Sequence, residues 1–138
     1  MRQGFFKPTE LAVLEQPQSI VPQCGTCRLF ESCKSPKMKV WGNGERRILV
    51  VFGYPTAEAD AKNCPIAGVG GTLYREQFRR AGIELSECLV THAVICKPKK
   101  ETKSDVIDWC RPNLINTIRK HKPEVIVTVG SAATASLS

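Results

Sequence analysis

"RILVVFGYPTAEADAKNCPIAG", residues 47–68, decides how the rest of the chain is read. Ile48 to Phe52 is continuously apolar and closes on Gly53, the pattern of a strand buried on both faces. The next stretch has glycine at both ends and a proline near each end, so it reads as a loop at the carboxyl end of that strand. In α/β proteins such loops carry the ligand site.

Working outward, "GNGERR" (42–47) is a turn signal leading into the strand, and "GGTLYREQFRRAGI" (70–83) is helical. That helix places Leu73, Phe78 and Ala81 near one face, with arginines opposite. "ECLVTHAVIC" (87–96) reads as a second buried strand. "SDVIDWCRPNLINTIRKHKP" (104–123) is helical, with Ser104 as N-cap and Asp105 in the first turn. Pro112 cannot donate to the helical ladder and predicts a kink or a break there. "VIVTVG" (125–130) is a third strand, and "SAATASLS" (131–138) begins another helix. Strands alternating with helices imply a parallel sheet with right-handed crossovers, covered on both faces: an α/β fold of three α/β/α layers. The pattern stops within the first turns of a helix, so a last strand and helix are expected to be missing from this sheet.

A chain of 138 residues suits one domain. Residues 1–22 form a polar, proline-punctuated extension with one helical pattern at "TELAVLEQ" (9–16), and residues 23–138 form the domain proper. No apolar stretch approaches the ~20 residues that span a bilayer, and the first residues lack the charged-then-apolar layout of a secretory signal. A cytoplasmic location is the expectation. Twenty Lys and Arg against thirteen Asp and Glu give +7, a balance that serves either a polyanionic partner or solubility.

Seven cysteines suit metal or cluster ligation better than disulfides in a reducing compartment. Cys24 and Cys27 form C-x2-C, Cys96 follows the second strand, and Cys110 lies in the next helix. Four thiolates brought together by the fold suit either zinc or an iron–sulfur cluster. Cys33 shares a loop with the first pair and rivals any of the four. Cys88 reads as a small buried hydrophobe, and Cys64 as incidental.

In its motifs the chain resembles the iron–sulfur uracil-DNA glycosylases, family four of the uracil-DNA glycosylase superfamily. The resemblance runs from about Cys24 onward, through "ILVVFGYPTAEAD", "CPIAGVGGTLYREQFRRAGI", "CLVTHAVICKPKK" and "WCRPNLINTIRKHKPEVIVTVGSAATASL". It implies the uracil-DNA glycosylase fold and a structural four-iron cluster on Cys24, Cys27, Cys96 and Cys110. With that cluster, +7 falls to about +5. It implies DNA as partner, single-stranded or with a base flipped into a pocket.

The same resemblance places the family's pocket on Gly53, Tyr54, Pro55, Ile66, Gly68 and His92. There the chain departs from the pattern. The acid that follows the first glycine is Tyr54, a poor general base at neutral pH. The aromatic residue that stacks on uracil is Ile66, and the asparagine that reads its edge is His92. The histidine that stabilises the departing base would lie beyond Ser138. Glu58 or Asp60 could stand in as the acid, with His92 as a third candidate for the chemistry. Residue by residue, Tyr54 either lines or plugs the pocket, and His92 is either a base reader or a satisfied core histidine. Lys97, Lys99, Lys100 and Lys103 read as a phosphate-contacting loop, and the amides of Ser131 and Ala132 either hold a phosphate or only begin a helix. Trp41 and Trp109 read as packing residues. The expectation is a glycosylase-like scaffold, without its chemistry, serving a DNA replication or repair complex. The alternative is an active glycosylase completed by a partner or a further segment.

Overall fold

The computed structural model describes residues 21–100 and 102–138. The extension helix expected at 9–16 lies outside these residues.

Three parallel strands form the sheet: β1 (Ile48–Phe52), β2 (Leu89–His92) and β3 (Val125–Thr128). Their order is β2-β1-β3. β1 is therefore central, and Leu49, Val50 and Val51 have no exposed surface at all. Burying each such side chain stabilises the fold by about 2 kcal/mol. Alternation along the strand divides the core. Leu49 and Val51 pack with Leu89, Leu114 and Ala133 on one face. Val50 packs with Ile66, Leu85, Cys88 and Val90 on the other.

The helices are α1 (Cys24–Cys27), α2 (Ala57–Lys62), α3 (Gly68–Arg80), α4 (Asp105–His121) and α5 (Ser131–Ser136). Through Leu114 and Ala133, α4 and α5 cover the first face; through Phe78, α3 touches the second. The result is the three-layer α/β/α order. On the outer side of β2, Trp41 forms an antiparallel bridge with Val90. Beyond β3 the described residues provide no neighbour, and Val125 and Ile126 remain 52% and 37% exposed.

Three local expectations are corrected. Of the kink or break expected at Pro112, the break is absent: α4 is continuous through it. Val106, Cys110 and Leu114 are all buried, so both halves of the helix are held to the core across the missing hydrogen bond. Ser104 precedes α4 in an already helical conformation, and its side chain makes no cap bond. Leu73, expected on the core face of α3, is 54% exposed, because the start of that helix lies against the loop rather than over the sheet.

Candidate functional site

The parallel arrangement brings the carboxyl ends of all three strands to one edge of the sheet. A cavity of about 260 Å³ opens there. Its lining comes from each strand end: Phe52, Gly53 and Tyr54 after β1, His92 closing β2, and Val129 and Gly130 after β3. Because β1 connects to β2 on one side and pairs with β3 on the other, this is where α/β sheets open a crevice.

The loop that completes the cavity is shaped by specific local contacts. Thr56 caps α2, its hydroxyl accepting from the Ala59 amide at 3.1 Å. This sets Glu58 in the first turn, where it lines the cavity. Gly68 has φ +85°, and a Cβ there would collide with the Glu58 carboxylate. At Gly71 a Cβ would strike the carbonyl of Ile66. Glycine at both positions lets α3 start directly beside the loop, with Pro65, Ile66 and Ala67 forming one wall.

His92 is 3% exposed, and its burial pushes the imidazole pKa down to about 4. At neutral pH it is an uncharged ring presenting one donor and one acceptor. Tyr54 lines the cavity and does not fill it; its ring also packs among the buried residues around the cysteines. Aromatic surface comes from residues the motif comparison did not single out. Phe52 and Tyr74 stand 4.9 Å apart between ring centroids, tilted by 57°, and both line the cavity. Phe52 could have been found as the last strand residue before a glycine loop. Tyr74 could not, since its position depends on how α3 settles.

The sequence candidates thus separate. Gly53, Tyr54, Glu58, Ile66 and His92 share the cavity, with Gly68 behind Glu58 and Pro55 buried next to Tyr54. Asp60 does not share it. Its buried carboxylate accepts from the Lys34 amide at 3.0 Å and the Ser35 amide at 2.8 Å, which ties α2 to the cysteine loop. A carboxylate so engaged holds the backbone together and does not face a ligand.

The second site lies close by. Cys24, Cys27, Cys96 and Cys110 line one small cavity with Phe30, Val94, Ile95 and Trp109. Three separate segments supply them: α1, the turn after β2, and α4. The backbone amide of Lys37 donates to Cys96 Sγ at 3.2 Å, and the Asn113 side chain donates to Cys110 Sγ at 3.4 Å. Burial pushes the Cys96 thiol up to about 12, partly offset by that amide, and raises Cys110 as well. Such thiols become ligands only when a bound positive charge replaces their protons. Cys33 sits near Cys96 but does not line the cavity. Cys88 is buried on the other side of the sheet.

Among the described residues, no three His, Cys, Asp or Glu side chains converge closely enough to hold a single metal ion. Zinc needs all four sulfurs at ~2.3 Å from one point. A cluster of several irons accepts more widely spaced thiolates, each on its own iron. Four cysteines around an apolar cavity, with N–H donors on two sulfurs, form a donor set of the kind an iron–sulfur cluster uses.

Lys99 and Lys103 border a third concavity with Arg28 and Trp109, flanked by Lys97 and Lys100. Ser131 opens α5 as an exposed residue next to Gly130 of the large cavity.

Comparison with known proteins matches this geometry. Residues 40–138 fit the family model of the uracil DNA glycosylase superfamily. Over 128 residues the chain is 27% identical to the type-4 uracil-DNA glycosylase of Pyrobaculum aerophilum, covering 90% of this chain and 64% of that protein. Similar enzymes of Saccharolobus solfataricus and Thermotoga maritima are each 27% identical, over 85% and 91% of this chain. The chain spans 55% and 66% of those two proteins. It belongs to the uracil-DNA glycosylase superfamily.

Proposed function

We propose that the protein is a uracil-DNA glycosylase-like iron–sulfur protein that binds DNA and no longer cleaves the glycosidic bond. The observation that carries the reading is the content of the large cavity. It lies at the strand ends with apolar and aromatic walls, yet offers a phenol at Tyr54 and a neutral imidazole at His92. A flipped base would lie against Phe52 and Tyr74, its polar edge toward His92. Nothing at those positions both activates water and stabilises a departing anion.

The four-iron cluster, held by Cys24, Cys27, Cys96 and Cys110, would act structurally, tying α1 and α4 to the end of β2. Iron with inorganic sulfide in purified protein supports it; one zinc per chain removes it. Lys97, Lys99, Lys100, Lys103 and Ser131 would contact phosphates. The protein would work in the cytoplasm, in a replication or repair complex, with a partner chain or a further segment covering Val125 and Ile126 of β3. An isolated chain that is monomeric and does not bind apolar dyes at that edge argues against a cover.

Abasic-site formation on a single-stranded uracil-containing oligonucleotide tests the reading, with anaerobically purified protein. Binding without cleavage is expected, and cleavage overturns it. One observation favours the second reading, an active glycosylase: Glu58 supplies a carboxylate to the cavity from a neighbouring position. Cleavage that Glu58→Gln abolishes and Asp60→Asn spares would establish it.

A further inference from the structure

The concavity beside α4 is separate from the base cavity and differs from it in kind. Its floor is apolar, from Leu29, Val106 and the Trp109 ring, and its rim carries Arg28, Lys99 and Lys103. Among the described residues no acidic side chain lines it. Glu31 pairs with Arg28 at 2.9 Å. A guanidinium has five N–H donors, so this pairing leaves others for a second anion. The rim is also held in place: the Lys99 amide donates to Thr102 Oγ1 at 2.7 Å, closing the turn that presents both lysines.

An apolar floor with an aromatic ring beneath a rim of cationic side chains is how proteins hold single strands without reading sequence. We propose that this concavity binds one nucleotide of single-stranded DNA, outside the base cavity. The phosphate lies among Arg28, Lys99 and Lys103, and the base rests against Trp109. This rests on the DNA-binding reading and adds a second contact point, so the strand is held at two places.

The test uses cluster-loaded full chain and fluorescence anisotropy with a short labelled oligothymidylate that contains no uracil. Arg28→Ala/Lys99→Ala/Lys103→Ala should weaken binding about tenfold or more. The slope of log affinity against log salt should fall by roughly 0.7, the value for the one phosphate no longer neutralised. Arg80→Ala/Arg119→Ala/Lys120→Ala removes the same charge elsewhere and should change affinity less than about twofold. Trp109→Leu, with its iron content shown to be unchanged, should weaken binding roughly five- to a hundred-fold.

Equal losses in the two triple variants would reduce the effect to overall charge and overturn the site. Wild-type binding that the Arg28/Lys99/Lys103 variant retains would also overturn it, leaving the DNA reading intact. Wild-type protein that fails to bind the oligonucleotide overturns both.

Discussion

The two cavities both draw on the carboxyl end of β2, yet they differ in what their residues can do. The cysteine cavity draws its groups from three segments, and all four thiols face one space, two of them with N–H donors. The base cavity has kept its walls and its glycine contacts, but its polar groups are a phenol, a neutral imidazole and a carboxylate from α2. A scaffold site constrains the fold, because losing a ligand costs stability. A chemical site constrains only the reaction, so its groups can change while the backbone stays.

The sharpest way to break this contrast is to remove a cysteine. Cys96→Ala or Cys110→Ala should abolish iron and sulfide binding, and with it much of the stability of α1 and the loop to Met38. Cys33→Ala and Cys88→Ser should leave iron content unchanged, measured by metal and sulfide analysis. Loss of iron on Cys33→Ala would instead make Cys33 a ligand and dissolve the ordering proposed for the cavity.

The base cavity should show itself in the pH dependence of stability. The folded pKa of His92 is about 4, below its ordinary 6.5, so the unfolded chain binds the additional proton between those values. Stability contributed by the neutral ring is complete above 6.5 and is lost as pH falls toward 4. The whole effect is on the order of 3 kcal/mol. His92→Gln should flatten this acid limb. An unchanged limb in denaturant titrations across that window would mean that the ring is hydrated in solution.

How much of this was legible in the sequence follows from which interactions are local. Ile48–Phe52 announced β1 because a central parallel strand must be apolar on both faces. The cysteine spacing pointed to four residues that share one cavity, because C-x2-C is local and the other two positions follow strand and helix landmarks. Asp60 looked like an acid, and only the approach of the Lys34 and Ser35 amides, 25 and 26 residues away, shows its role. Tyr74 was hidden for the same reason. Pro112 misled because its rule concerns one hydrogen bond, whereas the helix answers to three buried residues.

Asp60 and Glu58, two residues apart on α2, sharpen the comparison at smaller magnitude. Asp60→Asn loses charge-assisted bonds to two backbone amides and should cost about 2 kcal/mol of stability by thermal or denaturant unfolding. Oligonucleotide binding should persist at temperatures where the variant is folded. Glu58→Gln, on an exposed residue, should leave stability within about 0.5 kcal/mol. The reverse pattern would move the structural role onto Glu58.

Smallest in stability, and most informative about the cavity, is Tyr54. Tyr54→Phe keeps the ring that packs between the two cavities and removes only the hydroxyl, so unfolding should change by less than about 1 kcal/mol. Tyr54→Glu places an acid directly after Gly53. Under the non-catalytic reading, that carboxylate alone should not produce abasic sites on uracil-containing single strands, because no group in the cavity stabilises the departing base. Measurable cleavage by Tyr54→Glu would mean that the remaining residues, His92 foremost, already supply that stabilisation. The loss of chemistry would then rest on one position, and the base cavity would be far closer to its relatives than its side chains suggest.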